Sequence, residues 1–469
     1  MRPPLTIARK AGTDEVTTED DIARAGDHDP DRHRAPTTWI DTDRWLARFV
    51  ARPVLEFMHV EQASGFLLLA ATIAALVWAN SAWDAGYAAV WATEVLVEVG
   101  PLHFAEDLGT FVNDALMALF FFTVGLEIKR ELVTGELRDP RAAALPAIAA
   151  VGGMVLPALV YVAFNAGGPN TEGWGIPMAT DIAFALGVVA VLGPRVPVSL
   201  KVFLLTLAIV DDVGAIVVIA VAYTGDLSTG WLALAGGGLV LVALMRRARV
   251  WYVPAYAVVG AAIWFATHES GVHATIAGVA LGLMTPAEPL QREGVAHDLA
   301  ARVGSRPTGA ELRAAAFMMK ESTSVAERLE HLLHPWTSFV VLPVFALANA
   351  GVPLGLDTLA DAASSSVAWG IALGLVVGKL VGVSLASWIA VRTGLATLPR
   401  GVTWPQVIGI AGVAGIGFTV SLFITNLAFE DPEVVQTAKI AVLLASATAA
   451  VLGALLLRAV SRRMPAAGD

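Results

Sequence analysis

The stretch that decides the fold is TDIAFALGVVAVLGPRVPVSLKVFLLTLAIVDDVGAIVVIA, residues 180–220. It places three carboxylates, those of Asp181, Asp211 and Asp212, in segments whose other residues are mostly apolar. At least two helical turns of apolar residues flank the Asp211–Asp212 pair on each side. A charge near the middle of a bilayer costs about 3 kcal/mol or more, so charged residues there usually face a cavity and serve a function. The alternative, a pair of aspartates in water at a helix end, does not fit these apolar flanks.

The composition supports a membrane location. Of the 469 residues, 56% are hydrophobic and only 15% are charged, and the mean hydropathy is +0.67. About a quarter of the residues of a typical soluble protein are charged. The chain has no cysteine, which excludes disulfides, thiolate metal sites and a cysteine nucleophile. The composition therefore predicts an all-α polytopic membrane protein.

Twelve apolar segments follow one another along the chain, and we predict twelve transmembrane helices from them. Several of these segments are shorter than the roughly 20 residues that a full crossing needs. The segments span residues 64–80, 108–128, 142–165, 175–193, 198–223, 229–246, 250–267, 272–285, 336–351, 367–391, 405–426 and 435–458.

The charges in the connections test this count. The connections that follow the odd-numbered segments contain no lysine or arginine. The other connections and the C-terminus carry Lys129, Arg130, Arg138, Arg141, Arg195, Arg246, Arg247, Arg249, Arg392, Arg400, Arg458, Arg462 and Arg463. Because cytoplasmic loops carry the excess of cations, we expect a multi-pass protein of the plasma (inner) membrane with both termini in the cytoplasm.

The regions outside the apolar segments predict the remaining domain organisation. Residues 1–44 are polar and charged and are expected to form a disordered cytoplasmic tail. Residues 45–460 form the transmembrane domain, with a cytoplasmic insertion at 286–335 that includes an amphipathic stretch, and 461–469 form a C-terminal cytoplasmic tail. In the first external loop, VLVEVGPLHF alternates as a strand does and is broken by Gly-Pro, which predicts a short hairpin. A lone hairpin is only marginally stable, so we expect it to pack on another surface, such as a second copy in a homodimer.

The Asp211–Asp212 pair has the chemistry of an exchange site. Consecutive helical residues point about 100° apart, so one aspartate faces a given cavity while the other faces a neighbouring helix. Carboxylate oxygens bind either a proton or a small hard cation. A site that holds one or the other, but not both, is sufficient for exchange.

Two further charges lie in apolar segments. Asp181 follows Thr180 in a segment that contains Pro177 and Gly187, and such residues can mark a broken helix. Asp181 would then compensate helix dipoles where two half-helices meet, although a helix N-cap at the external surface is the alternative. Lys379 has about a dozen largely apolar residues on each side and needs a carboxylate partner, either Asp211 or Asp212.

The eleventh segment is rich in glycine, with Gly409, Gly412, Gly415 and Gly417. Glycine at this density predicts either close helix contacts or an unwound segment. The fourth and eleventh segments each occupy the middle of a group of three, segments 3–5 and 10–12, and the two groups run oppositely through the membrane. This pattern predicts inverted-topology repeats whose two broken helices cross in mid-membrane.

A cytoplasmic cluster is also possible. Glu127 and Glu131 end the second segment, and Glu330, His331 and His334 end the large cytoplasmic loop. Histidine titrates near neutral pH, so these residues would respond to pH if the two stretches met. Solvated charge at the membrane surface is the alternative.

Several long motifs resemble the NhaA family of sodium/proton antiporters, from about Gly65 to Arg458. These motifs are NDALMALFFFTVGLEIKREL (113–132), the 180–193 segment, LAIVDDVGAI (207–216), SGVHATIAG (270–278), LEHLLHPW (329–336), FALANAGV (345–352), GKLVG (378–382) and GIGFTVSLFI (415–424). The resemblance also implies inverted repeats with broken helices, so it does not support the repeats predicted above independently. It also implies electrogenic export of sodium or lithium in exchange for protons, regulated by pH, for sodium and pH homeostasis.

The resemblance further implies residue roles. Asp212 would be the principal sodium or lithium ligand and a proton carrier, with Asp211 as its partner in metal and proton binding. Asp181 and Thr180 would lie at the crossing of the broken helices, where Lys379 balances charge. The set Glu127, Glu131, Glu330, His331 and His334 would sense pH. The expected partners are the transported ions and the lipid bilayer, with no cofactor and no nucleic acid.

Three features of the chain depart from the family pattern. The 288–321 insertion is long, Glu327 stands where a lysine is common, and Leu380 stands where a proline is common.

An intramembrane aspartyl protease, which would make the protein an enzyme, needs aspartates on separate helices and a Gly-x-Gly-Asp context that this chain lacks. A sodium-coupled symporter of an organic anion, with Lys379 holding the anion, stays as the alternative.

Overall fold

A computed structural model describes residues 61–461, except 100–101, 194–195, 226, 249, 251 and most of 289–321. Three predictions lie outside the described residues. They concern the 1–44 tail, the middle of the 286–335 insertion, and all but the first residue of the 461–469 tail.

The described part is mostly helical. The first half contains α1 (Glu61–Ala79), α2 (Asp84–Trp91), β1 (Glu94–Val99), β2 (Leu102–Asp107), α3 (Leu108–Val133), α4 (Pro140–Asn165), the 3₁₀ helix Thr171–Met178, α5 (Ile182–Val191) and α6 (Val198–Ala222). The second half contains α7 (Thr229–Arg247), α8 (Val253–His268), α9 (Thr275–Met284), α10 (Val325–Asn349), α11 (Leu356–Ser364), α12 (Ser366–Arg392), α13 (Trp404–Val413), α14 (Phe418–Ala428) and α15 (Pro432–Ser461).

These helices make the chain a polytopic membrane protein. Within the described residues, eight helical segments are long and apolar enough to cross a membrane, and two bent helix pairs pass the same test together. Among the helices that overlap the predicted segments, two fall short of this test: α8, with 16 residues, and α9, with 10. They overlap the predicted segments 250–267 and 272–285, respectively. The count of twelve transmembrane helices stays a prediction.

Two sets of helices pack among themselves. The first set, called here the site group, consists of α4, the 3₁₀ helix with α5, α6 and α12–α15. The second set, called here the panel group, consists of α1, α3 and α7–α10. The two groups meet where α1 packs on α5, α3 on α6 and α10 on α14.

Glycine permits the closest helix contact of the site group. A Cβ atom on Gly152 of α4 would lie 2.5 Å from the carbonyl oxygen of Gly382 on α12, which is far inside normal contact distance. A Cβ atom on the next glycine, Gly153, would lie 2.7 Å from the Val383 side chain and 3.5 Å from Cδ of Lys379. Small residues at such positions let helix backbones approach closely. The two glycines therefore make room for the lysine stem between α4 and α12.

The fourth and eleventh segments are both interrupted, and their interruptions meet. Ala179 to Asp181 separate the 3₁₀ helix from α5, and 414–417 separate α13 from α14, which is bent away by 48°. The backbone N–H of Asp181 donates a hydrogen bond of 2.6 Å to the carbonyl of Ile416. Inside a membrane, non-helical backbone is tolerated only where protein groups form its hydrogen bonds. Here a backbone N–H of one interruption bonds to a carbonyl of the other.

The predicted hairpin is present. β1 and β2 form a two-stranded antiparallel sheet in which Glu94 faces Asp107 and Val99 faces Leu102. Its neighbour α2 is fixed to α10, because the Tyr87 hydroxyl lies 2.9 Å from the carbonyl oxygens of Leu347 and Ala348. We call this side of the bundle the hairpin end.

Candidate ion-binding site

Asp181 is a helix cap inside the bundle. Its Oδ1 accepts a hydrogen bond of 3.0 Å from the backbone N–H of Phe184 in the first turn of α5. Its Oδ2 accepts from the backbone N–H of Thr419 at 3.1 Å and from the Thr419 hydroxyl at 2.6 Å, so it also serves the start of α14. The side chain is 2% exposed. Asp181 is therefore an N-cap, but a buried one where the two interruptions meet rather than one at the external surface. Its role in compensating the helix dipoles stays a prediction.

Lys379 pairs with Asp211 rather than with Asp212. The Lys379 ammonium donates a short hydrogen bond to Asp211 Oδ2, and neither residue is exposed. A buried ion pair persists only when good geometry and further hydrogen bonds offset the loss of water. The Thr180 hydroxyl supplies one such bond, since it lies 2.6 Å from the same carboxylate oxygen.

The Thr180 hydroxyl also links the ion pair to the crossing. It lies 2.9 Å from the carbonyl oxygen of Ala414, which ends α13, as well as 2.6 Å from Asp211 Oδ2. A hydroxyl has a single hydrogen, so it donates to only one of these acceptors at a time. The charge on Asp211 therefore affects whether the Thr180 hydroxyl donates its hydrogen bond to Asp211 or to the Ala414 carbonyl at the end of α13.

Asp212 has an unpaired oxygen. The carboxylate is 3% exposed, and its Oδ1 is buried with no hydrogen-bond partner in the described part of the chain. Asp211 Oδ1 is in the same condition. Buried polar atoms are nearly always hydrogen-bonded, so these two carboxylate oxygens on neighbouring residues are candidate positions for a proton or a small cation.

The charges of the site are unbalanced. Asp181, Asp211 and Asp212 bring three carboxylates together, and Asp181 lies within electrostatic range of Asp212. Among the described residues, Lys379 is the cation whose charge acts on both Asp211 and Asp212. With all three carboxylates ionised the site would carry two uncompensated negative charges, a balance that proton uptake or a small cation would restore. No group of three or more His, Asp or Glu residues within the described ranges has metal-binding geometry. A cation here would therefore need oxygen ligands besides the carboxylates.

The two stretches that were predicted to lie at the cytoplasmic face meet. Arg130 Nη1 lies 2.5 Å from Glu330 Oε1, and Arg130 Nη2 lies 3.4 Å from Glu131 Oε1. Glu330 is 7% exposed, and its Oε2 has no hydrogen-bond partner within the described residues. Glu127 lies one turn before Glu131 and is close enough to Asp212 for their charges to interact.

The two histidines of this set lie outside its buried part. His331 and His334 are exposed on α10. The ion pair that joins α3 to α10 here is that of Arg130 with Glu330, and Arg130 was not among the predicted pH-sensing residues.

A comparison with known families decides what this arrangement belongs to. The family model described as Na+/H+ antiporter 1 matches residues 55–457. The chain belongs to the Na+/H+ antiporter 1 family.

Individual members of this antiporter family align along most of their length. The chain is 47% identical over 420 residues to Na(+)/H(+) antiporter NhaA 3 of Frankia alni, covering 89% of this chain and 90% of the relative. It is 46% identical over 430 residues to Na(+)/H(+) antiporter NhaA of Rhodopirellula baltica, covering 90% and 96%. It is 47% identical over 434 residues to Na(+)/H(+) antiporter NhaA of an Anaeromyxobacter species, covering 89% and 94%.

Sequence reasoning missed one residue in the site of this Na+/H+ antiporter 1 chain. Thr419 donates two hydrogen bonds to the Asp181 carboxylate, from a position 238 residues away. The available signal was its place directly after the glycine-rich interruption, where the first turn of a helix exposes unpaired N–H groups.

Proposed function

We propose that this protein exports sodium or lithium ions in exchange for protons. The observation that supports the exchange is the pair of buried, unpaired oxygens on Asp211 and Asp212 beside a single lysine. A site with this excess of negative charge is stable only when protons or a cation occupy it. Proton binding and cation binding then exclude each other, which is the property that coupled exchange requires.

Each side chain has a separate role in this proposal. Asp212 is the principal ligand for the transported ion and a proton carrier, because it has no fixed partner. Asp211 is its partner and alternates between Lys379 and a proton. Thr180 and Asp181 keep the crossing intact while the charge of the site changes.

The exchange is electrogenic in this proposal. More proton charge enters than sodium charge leaves, so the membrane potential contributes to export. Each net charge that crosses gains about 2.3 kcal/mol per 100 mV. A cell would use this coupling for sodium and pH homeostasis.

The number of membrane crossings, the internal repeats and the dimer are also part of this proposal. The chain crosses the plasma (inner) membrane twelve times with both termini in the cytoplasm, which the charge asymmetry of the connections supports. Segments 3–5 and 10–12 are inverted repeats, supported by the interruptions that pair through Asp181 and Ile416. The hairpin joins two copies in a homodimer.

Regulation by pH is assigned to the cytoplasmic contact between α3 and α10. Arg130 pairs with Glu131 and Glu330, and its charge also acts on Glu127. His331 and His334 lie exposed on α10. A change of protonation here would alter the contact of α10 with α3, and α3 packs against α6, which carries Asp212.

The symporter alternative is not favoured. It needs a cation that is available to hold an organic anion, and the Lys379 ammonium is occupied by Asp211 in a buried ion pair. Breaking such a pair leaves an uncompensated buried charge, which is costly.

Everted membrane vesicles test the exchange. The vesicles come from a host without its own antiporters and are acidified inside by respiration. Sodium or lithium is then added, and collapse of the pH gradient is followed at several pH values. We expect a cation-dependent collapse with the wild type, and none with Asp212→Asn. Asp357→Asn, on the exposed surface of α11, is the matched control and should behave like the wild type. No response to either ion at any pH, with folded protein present, would refute the proposal.

A further inference from the structure

One asparagine joins four predicted spans at the hairpin end. Asn349, the last residue of α10, is 3% exposed. Its Nδ2 donates to Asn113 Oδ1 of α3 at 2.8 Å and to the Phe345 carbonyl at 3.1 Å. Its Oδ1 accepts from Asn426 Nδ2 of α14 at 2.7 Å and from Lys439 Nζ of α15 at 3.3 Å. Both hydrogens and both lone pairs of this amide are therefore used.

These contacts form a connected cluster, called here the amide knot: Asn113, Asn349, Asn426 and Lys439. Asn113 and Asn349 belong to the panel group, whereas Asn426 and Lys439 belong to the site group, which carries the aspartates. The two bonds accepted by Asn349 Oδ1 thus connect the helix groups. In a region with little water, an amide has no equally good partner if these bonds break.

Lys439 makes the knot a conditional contact. It is half-buried, and its one hydrogen-bond partner in the described residues is the neutral amide of Asn349. Its ammonium contacts the last residue of α10, and the C-terminal end of a helix favours a nearby cation. If the groups separated at the hairpin end, water would reach the ammonium and replace the amide. Lys439 therefore favours separation, and Asn349 opposes it.

A layer of aromatic rings lies between the knot and the ion site. Phe423 of α14 packs against Phe121 of α3 and Phe345 of α10, with ring centroids 5.5 and 6.5 Å away. All three rings are buried. Asn426 lies seven residues beyond Thr419 on α14, about 10 Å at 1.5 Å per residue. The rings and the knot thus close the same contact, that of α14 with α3 and α10, between the crossing and the hairpin end.

We propose that the amide knot is a latch that holds the site group against the panel group at the hairpin end and opens whenever the ion site is exposed toward that end. This proposal rests on the proposed exchange function, because exchange requires the site to face each side of the membrane in turn. Asn349, Asn426 and Lys439 are positioning residues in it, since none of them contacts the aspartates.

Distance measurements in the full-length protein test the latch. The chain has no cysteine, so spin labels can be placed at Ala85→Cys and Glu430→Cys without removing native thiols. Both positions are exposed, and α2 carries the first of them while bound to α10 of the panel group. The second follows α14 of the site group. Pulsed electron resonance of reconstituted protein gives the distribution of distances between them.

Substitutions of the knot should shift this distribution in opposite directions. Asn349→Asp gives Lys439 a carboxylate partner, so the short distance should dominate and the turnover of sodium/proton exchange should fall at least tenfold. Asn426→Ala removes one of the two hydrogen bonds by which the knot connects the groups, so the population at the longer distance should at least double.

The matched control is Asn165→Ala. The Asn165 amide bonds to Ser366 at 2.8 and 3.2 Å, which joins α4 to α12 within the site group alone. It should leave the distances unchanged. The latch is refuted if the Asn349→Asp variant has the same distances and the same turnover as the wild type. It is also refuted if Asn165→Ala shifts the distances as much as Asn426→Ala does.

The same experiment separates the latch from the proposed function. Failure of sodium exchange in the wild type would refute the function, while the distances would still report whether the knot governs separation. Normal exchange with unchanged distances in both knot variants would refute the latch and leave the function intact.

Discussion

Replacing Lys379 with methionine is expected to destabilise the folded protein strongly. The substitution keeps the length of the side chain but leaves the Asp211 carboxylate fully buried, with the Thr180 hydroxyl as its remaining hydrogen-bond donor. Removing one partner of a buried ion pair costs about 3–5 kcal/mol, mainly because an uncompensated charge remains. Asp211→Asn leaves the ammonium alone and should cost a similar amount. Acidic pH should relieve the Lys379→Met variant, because the remaining carboxyl group then takes up a proton.

The double variant separates the ion pair from the rest of the site. With both charges removed, neither is left uncompensated, so Asp211→Asn with Lys379→Met should be more stable than either single variant. The coupling energy between the two positions should reach at least about 3 kcal/mol in favour of the pair.

Unfolding in mixed micelles by titration with SDS measures these free energies, with tryptophan fluorescence as the signal. The control is Lys201→Met, since Lys201 makes no ion pair within the described residues and should change the unfolding free energy by less than about 0.5 kcal/mol. The reasoning is refuted if each single variant costs less than about 1 kcal/mol, or if the double variant loses the sum of the two single losses.

Three further substitutions have expected outcomes in the same unfolding titration. Thr419→Val removes a 2.6 Å hydrogen bond to the Asp181 carboxylate and should cost about 1.5–3 kcal/mol. Tyr223→Phe removes a hydroxyl that bonds to two backbone groups of the 171–178 segment, and should cost about 1–3 kcal/mol. Gly278→Val puts side-chain atoms against the Ala118 carbonyl, so α9 must move away from α3, at a cost of about 1–3 kcal/mol or more.

Each of these three has a matched control. Thr425→Val removes a hydroxyl of α14 that bonds only within its own helix, and Tyr256→Phe removes an exposed hydroxyl. Gly237→Ala adds a methyl group where no atom lies within 4 Å. Controls as destabilised as their partners would show that the named contacts are not the cause.

The sequence predicted the helices because an apolar run is a local property. Ten of the twelve predicted segments each overlap a single helix, whereas the fourth and the eleventh segments each overlap two helices separated by an interruption. The lengths were less predictable, since α8 and α9 are shorter than their apolar runs. Tertiary contacts decide where such helices end.

The site was predictable where one residue is chemically out of place, and not where residues meet across the chain. Asp211, Asp212 and Lys379 were found because each is a charge in an apolar segment. The choice of Asp211 as the lysine's partner depends on how α6 and α12 rotate, which no local pattern shows. Thr419 and Asn349 are ordinary polar residues in their own segments, and only the packing of distant helices gives them partners.

The most direct test of competition between protons and sodium uses purified protein in weak buffer at alkaline pH. Sodium chloride is added, a pH indicator records proton release, and calorimetry records binding, with choline chloride as the control salt. Sodium binding to the wild type should release protons, and Asp212→Asn should neither bind sodium nor release protons. Sodium binding without proton release, or equal proton release from Asp212→Asn, would contradict a shared site at this aspartate.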